Sequence, residues 1–338
     1  MAERDTIKRN FLRHAKWEQA AITPLAGDAS ARRYERLHNG TTGESAVLMI
    51  APPKSGEDVS LFVEVAKILG AWGYSAPKIL ALDQKNGFVL LEDLGDDLFA
   101  RAAAGDPALE SDIYAAATDL LIDLHGRAAP ESLPSYSRDV YLNESRLLWQ
   151  WYMPAATGVQ VSQNFTDRFD NLIAAACDSL NTDRPVLVMR DYHAENLLWL
   201  PERTGLARVG LLDFQDALSG HRAYDLISLI EDARRDTTAE LRETMIARYI
   251  LGTNVDEQDF RQALAVLGAQ RNIKIIGIFA RLCVRDGKSA YVDMIPRVWD
   301  HLQRDLAHPA LDDLRTLLEN HVVQPDKQTC DRIRKARP

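Results

Sequence analysis

Hydrophobic and polar positions change their period along the 338 residues. Near the start, Ile7, Phe11, Leu12 and Ala15 recur at helical spacing and predict a short amphipathic helix over residues 5–15. Short apolar or alternating runs follow at residues 21–25, 32–37 and 46–50, separated by polar, Gly-containing turns at 27–30 and 38–43. They predict an antiparallel meander, ended by Pro52 and Pro53. Residues 57–69 return to the helical period, with Val59, Phe62, Val63, Ala66 and Leu69 on one face. Two further strands are predicted at 76–82 and 88–91, linked by a turn at 83–87. From Leu98 onward the helical period dominates, with helices at 113–125, 169–180, 262–269, 272–283 and 295–306. Two short apolar runs interrupt it, at 186–189 and 209–212, and read as buried strands. The expected fold is α+β: a small antiparallel-sheet lobe over residues 1–95 and a larger, mainly helical lobe over residues 96–338.

The chain is long enough for two such lobes, each with its own core. A hydrophobic content of 46% and a charged content of 26% are ordinary for a globular chain. The net charge of −9 offers no overall attraction to nucleic acid or to an anionic membrane. Basic residues cluster at Arg332, Arg334, Lys335 and Arg337, which reads as a solvated end. Cys177, Cys283 and Cys330 are too sparse for a disulfide framework or a zinc site. The charged N-terminus lacks the apolar stretch of a signal peptide, and no run approaches the ~20 apolar residues of a membrane span. A cytoplasmic protein with no obligate protein partner is the expectation.

Chemistry concentrates at the ends of the two interrupting strands. Each runs abruptly into a carboxylate, Asp191 and Asp213, and Asn196 follows the first of these by five positions. Phosphoryl transfer needs this set of residue types: one carboxylate to orient and deprotonate an attacking hydroxyl, and an Asn with a second Asp to hold magnesium. Asp, His and Asn are also common turn residues, so either piece alone would be weak.

Asp191-Tyr192-His193-Ala194-Glu195-Asn196 resembles the D-x-H-x-x-N motif of the aminoglycoside phosphotransferase and choline kinase group, and Asp213-Phe214 stands where protein kinases carry Asp-Phe-Gly. The resemblance implies a bilobal protein-kinase-like fold, with ATP and Mg2+ as cofactors. It implies Asp191 as catalytic base and Asn196 and Asp213 as metal ligands. Gly27, Asp28, Ala29 and Ser30 would cover the nucleotide phosphates through backbone N–H groups, or would form an ordinary hairpin turn. Glu92 and Leu94 would hold the adenine through their backbone, with Val89 and Leu91 as apolar wall. Glu64 is placed to pair a phosphate-binding Lys, yet the third strand carries none, and no Lys occurs between Lys16 and Lys54. Lys54, Arg32 or Arg33 remain as substitutes, or backbone amides with magnesium alone. His125 reads as a C-cap, and the Trp- and Tyr-rich residues 141–152 as core or as a sugar-stacking wall. Asp225 opens a helix, and in the family a matching Asp braces the catalytic loop.

Longer segments narrow the resemblance. Residues 24–34 (P-L-A-G-D-A-S-A-R-R-Y), 48–53 (L-M-I-A-P-P), 90–96 (L-L-E-D-L-G-D), 213–217 (D-F-Q-D-A) and 224–229 (Y-D-L-I-S-L) are similar to the bacterial N-acetylmuramate/N-acetylglucosamine anomeric kinases of cell-wall recycling. Met189 departs from the His usual before Arg190-Asp191, and Ile50 from the usual Asp. The resemblance implies phosphorylation of a sugar's anomeric hydroxyl to the 1-phosphate. His193, Gln215, Asp216 and Arg222 are candidates for contact with the acceptor, and Arg222 or Arg281 for a carboxylate on it. A kinase of the same fold acting on an aminoglycoside, a choline-like alcohol or another sugar stays open, as does a non-catalytic nucleotide-binding regulator.

Overall fold

A computed structural model of the chain describes residues 2–25, 32–52, 59–180 and 184–336. In chain order its main elements are α1 (Ala2–His14), β1 (Ala21–Leu25), β2 (Arg33–His38), β3 (Ser45–Ile50), α2 (Ser60–Ala71), β4 (Ile79–Asp83), β5 (Phe88–Glu92), α3 (Phe99–Gly105), α4 (Glu110–His125), α5 (Arg138–Ser145), α6 (Met153–Thr157), α7 (Gln163–Asp178), β6 (Val186–Val188), β7 (Leu197–Trp199), β8 (Val209–Leu211), β9 (Leu218–Gly220), α8 (Ala223–Ile230), α9 (Ala239–Thr253), α10 (Glu257–Asp286), α11 (Ile295–Asp305), α12 (Asp312–His321) and α13 (Lys327–Lys335). They fall into two compact units: Met1–Ala117 with Ala194–Ala217, and Thr118–His193 with Leu218–Pro338. A cut near residue 95 separates the five-stranded sheet from most helices, whereas the two units divide within α4 and exchange the segment that carries β7 and β8.

The first unit is built on an antiparallel sheet of strand order β1-β2-β3-β5-β4. Side chains alternate between its faces. Ala46, Leu48 and Ile50 of β3 and Phe88 and Leu90 of β5 join Phe11 and Leu12 of α1 in one buried cluster. Phe11 stacks on Phe88 at 5.7 Å, and Lys8 of α1 pairs with Glu35 of β2. Val47, Met49, Val89 and Leu91 occupy the opposite face by the same alternation. Pro24 lies in β1, an edge strand, where no ladder donor is missed. Gly87, at φ 67, closes the β4–β5 turn against Ala51, whose carbonyl oxygen would lie 1.8 Å from any added Cβ. β7 and β8 form a separate antiparallel pair in this unit.

The second unit is organised around α10, which continues for 30 residues. Asp256 caps its start by accepting from the Asp259 N–H at 2.9 Å. Ile273, Ile276, Ala280 and Cys283 of α10 lie in one cluster with Leu148, Tyr152, Phe169, Val298, Leu302 and Ile333. Residues 262–269 and 272–283 are therefore one helix and not two, because the polar stretch between them is buried against polar partners. By length and composition α10 could cross a membrane, but its apolar window is 83% buried within the protein, which accounts for its hydropathy.

At the basic end α13 buries Cys330 and Ile333, whereas Arg332 and Lys335 are exposed and Arg334 pairs with Asp293 and with Asp331. His125 ends α4, and its buried ring places Nδ1 2.7 Å from the Tyr249 hydroxyl. β9, which the hydrophobic pattern does not announce, pairs antiparallel with β6. Residues 148–152 form a π-turn, and Trp149 and Trp151 pack against the core with Tyr152 inside it. The three cysteines are free thiols.

Candidate active site

In the first unit the β7–β8 pair brings two of the expected residues together. Register Leu197↔Leu211 continues outward as a backbone bond from the Leu212 N–H to the Asn196 carbonyl, at 2.9 Å. Asn196 thus precedes one strand and Asp213 follows the other at the same end of the ladder. Asp213 is exposed and left-handed, at φ 55. Its Oδ1 accepts from the amide Nε2 of buried Gln215 at 2.7 Å. Phe214 turns inward and stacks on Phe62 of α2 at 5.0 Å, which fixes the backbone that carries Asp213. Asp216 is exposed.

In the second unit β6 ends at Val188, and Met189, Arg190 and Asp191 follow it. Arg190 is left-handed, at φ 70, a conformation that costs a residue with a Cβ. The buried carboxylate of Asp225, in the first turn of α8, holds this turn by accepting the N–H groups of Met189 at 2.7 Å and Arg190 at 2.9 Å. The Ser228 hydroxyl donates to the Arg190 carbonyl at 3.3 Å. Met189 is buried and supports the loop through its backbone N–H, so its apolar side chain fits. The Arg190 guanidinium pairs with Glu144 of α5 and lies over the Tyr136 ring at 5.5 Å. Glu144 also takes Lys274 of α10 at 3.2 Å and the Tyr136 hydroxyl at 2.6 Å.

These charges set the state of Asp191. Burial pushes its carboxyl up, but the cations Lys274, Arg190 and Arg271 outweigh it and hold the pKa below the ordinary value. Asp191 is accordingly an ionised carboxylate at neutral pH, able to accept a proton. Asp225 behaves oppositely: burial, with the nearby Asp191 charge, pushes it up to about 7 against its two backbone hydrogen bonds. Burial holds His193 below its usual value, and its Nε2 lies 3.5 Å from Arg234 Nη1. A neutral His193 is therefore a hydrogen-bonding group and not a cation.

The remaining candidates are spread more widely. Glu64 is half-buried on α2 and makes no ion pair among the described residues. The Glu92 side chain is engaged by Arg203 at 2.9 Å and the Lys78 N–H at 3.1 Å, and its own N–H donates to the Lys78 carbonyl at 2.8 Å. Leu94 lies in the following turn, which Arg36 clamps through Asp93 at 2.8 Å and Asp96 at 2.7 Å. Gly27, Asp28, Ala29 and Ser30, like Lys54, lie outside the described residues. Arg222 acts on His125 and Tyr249, and Arg281 on Arg285 and Asp286, whereas the cations acting on Asp191 include Lys274 and Arg271. Sequence reasoning missed Glu144, Arg271 and Lys274. The available signal was the polar run Gln270, Arg271, Asn272 and Lys274 inside an otherwise apolar helix.

Among the described residues no group of three or more His, Cys, Asp or Glu could hold a metal ion by itself. The Asp213 carboxylate and Asn196 amide, both oxygen donors at one ladder end, nevertheless suit magnesium, which keeps water and phosphate in its other positions.

The sequence matches the phosphotransferase enzyme family (APH) over residues 21–264. A Caulobacter vibrioides protein named N-acetylmuramate/N-acetylglucosamine kinase is 36% identical, covering 95% of this chain and 97% of its own length. A Pseudomonas aeruginosa protein of the same name is 35% identical over 88% of each chain. Among solved structures, a microcompartment-associated aminopropanol kinase superposes with a TM-score of 0.65 at 16% identity, covering 92% of this chain and 99% of its own. A choline/ethanolamine kinase family protein from Mesorhizobium loti gives 0.61 at 13% identity over 98% and 99%. These structural likenesses carry the fold alone: the α+β kinase-like fold, with a small antiparallel-sheet lobe and a helical lobe. Given a family match over residues 21–264 and a relative covered over 97% of its length, this chain belongs to the phosphotransferase enzyme family.

Proposed function

We propose that this protein is a sugar kinase that transfers the γ-phosphoryl group of ATP to the anomeric hydroxyl of N-acetylmuramate or N-acetylglucosamine, giving the sugar 1-phosphate. The observation that carries the reading is the 36% identity to a protein of that name over 97% of its length. The ionised Asp191 and the paired positions of Asn196 and Asp213 support it.

Asp191 accepts the proton of the attacking hydroxyl as the new oxygen–phosphorus bond forms and the bond to the β-phosphate oxygen breaks, releasing ADP. The anomeric hydroxyl is the most acidic of a reducing sugar, so a carboxylate is a sufficient base. Asp213 and Asn196 would hold a magnesium ion, which when bound supplies positive charge against the triphosphate. Gln215 fixes the Asp213 carboxylate by donating to Oδ1. Asp225 and Arg190 hold the turn that presents Asp191. Gly27, Asp28, Ala29 and Ser30 would cover the phosphates, and the backbone of Glu92 and Leu94 would take the adenine. His193 and Asp216 would meet the acceptor.

The test is incubation with Mg·ATP and each sugar, with ADP release and loss of the reducing end followed together. Both signals together are expected. ADP release with the reducing end intact would place the phosphate on another hydroxyl, and no turnover on either sugar would overturn the sugar-kinase reading.

A further inference from the structure

The buried polar stripe of α10 includes a cation, Arg271, with no ion pair among the described residues. Arg271 is only 4% exposed. Its side chain makes one hydrogen bond among the described residues, from Nη1 to the Glu231 carbonyl at 3.0 Å, and no ion pair. A guanidinium has five donors, and none of those on Arg271 is a fully buried atom without a partner, so the donors not bonded to Glu231 reach solvent and can take a ligand's oxygens. No carboxylate forms an ion pair with it among the described residues, although its charge is felt by Asp191 and Asp225. Glu144 is the single carboxylate shared by Arg190 and Lys274. Glu231 is engaged by the Asn272 amide at 2.7 Å and by Arg304 at 3.5 Å. Arg271 lies three residues before Lys274, which shares Glu144 with Arg190 of the turn that presents Asp191, and its charge acts on both Asp191 and His193.

We infer that Arg271 is a specificity-determining residue that binds a carboxylate on the acceptor sugar by charge-assisted hydrogen bonds. The inference rests on the sugar-kinase reading. Of the two proposed acceptors only N-acetylmuramate carries a carboxylate, on its lactyl ether. A planar guanidinium matches a carboxylate in a way a lysine does not. Arg222 and Arg281, the cations that sequence alone suggested for this task, act on other parts of the unit.

The experiment is a four-cornered cycle: wild type and Arg271→Met, each assayed for kcat/KM on N-acetylmuramate and on its lactyl carboxamide. Wild type is expected to prefer the acid by about 10- to 100-fold, and Arg271→Met to lose that preference. Any effect of Arg271 on Asp191 lowers both substrates equally and cancels in the ratio. Arg271→Lys is run in parallel, because it keeps the charge where Arg271→Met fails to fold; it is expected to retain only part of the preference. A wild-type enzyme that turns over both compounds equally, or a folded variant with the full preference, overturns the assignment while leaving the kinase intact. A wild type that turns over no sugar overturns the kinase reading and this inference together.

Discussion

The Asp225 carboxylate receives the backbone N–H groups of both Met189 and Arg190, at 2.7 and 2.9 Å. Two donors converge on one side chain because Arg190 is held at φ 70, which turns consecutive amides to the same side. The turn that presents Asp191 therefore depends on a group with two acceptor oxygens. Asp225→Asn keeps the shape but sets an amide N–H2 against one of the backbone donors. The expected cost is about 1–3 kcal/mol of stability, with kcat falling more than the sugar KM rises. Chemical denaturation and initial rates check it; a variant with wild-type kcat would remove Asp225 from the support of the loop.

The two strand-end carboxylates should separate in mutation. Asp191→Ala removes the proton acceptor and should lower kcat by about 10²-fold or more while nucleotide affinity stays near wild type. Asp213→Ala removes the proposed metal ligand and should weaken magnesium-dependent ATP binding as well as turnover. Calorimetric titration with and without magnesium, alongside turnover, distinguishes them. Near-wild-type turnover in Asp191→Ala would sink its assignment as base, and magnesium-dependent ATP binding unchanged in Asp213→Ala would sink that residue as the metal ligand.

What the sequence could announce was whatever rests on residue type at a strand end or on local period. Asp191, Asn196 and Asp213 stand out because each follows or precedes an apolar run, and β3 and β5 because Ala46, Leu48 and Ile50 must face one way. β9 is only Leu218, Ser219 and Gly220, too short and too polar to carry a period, and it exists because β6 offers a partner. α10 looked interrupted because Gln270, Arg271 and Asn272 read as solvated. Only tertiary neighbours explain their burial: Glu144 takes Gln270 at 3.3 Å, and Glu231 and Asp305 take Asn272 at 2.7 and 2.9 Å. The charges of Lys274 and Arg271 on Asp191 were hidden for the same reason, since proximity to Asp191 is set by helix packing and not by sequence distance.

Stability should fall on the acid side through a histidine unrelated to catalysis. Burial holds His125 at a pKa of about 3, with the charges of Arg222 and His221 adding to the effect. In the unfolded chain it titrates near ~6.5, so below that pH the unfolded state binds a proton that the fold refuses. The contribution is full above that pH and is lost as pH falls toward 3. His301, held near 4, acts in the same direction. Asp225, Glu231 and Asp305, with raised pKa values, slope the other way. The discriminating quantity is thus the difference between variants: His125→Gln should be less stable at pH 7 yet show a flatter fall in Tm between pH 6.5 and 4.5. A variant as steep as wild type would assign the acid lability elsewhere.

Gly277 lies in the middle of α10, where glycine weakens a helix by about 1 kcal/mol relative to alanine, so propensity alone makes Gly277→Ala stabilising. Packing reverses the sign. A Cβ at this position would sit 2.3 Å from the Leu147 carbonyl carbon and 2.6 Å from its oxygen. Those are backbone atoms at the entry to the π-turn of residues 148–152, and they cannot swing aside as a side-chain tip would. Either α10 or the turn must shift, and both belong to the central cluster of the unit, with Leu148 and Tyr152 on one side and Ile273, Ile276 and Ala280 on the other. Overpacking of this kind costs about 1–3 kcal/mol or more, enough to overcome the propensity gain. Gly277→Ala is therefore expected to unfold at lower denaturant than wild type with an unchanged slope; a variant at or above the wild-type midpoint would mean that the helix and the turn can part without loss.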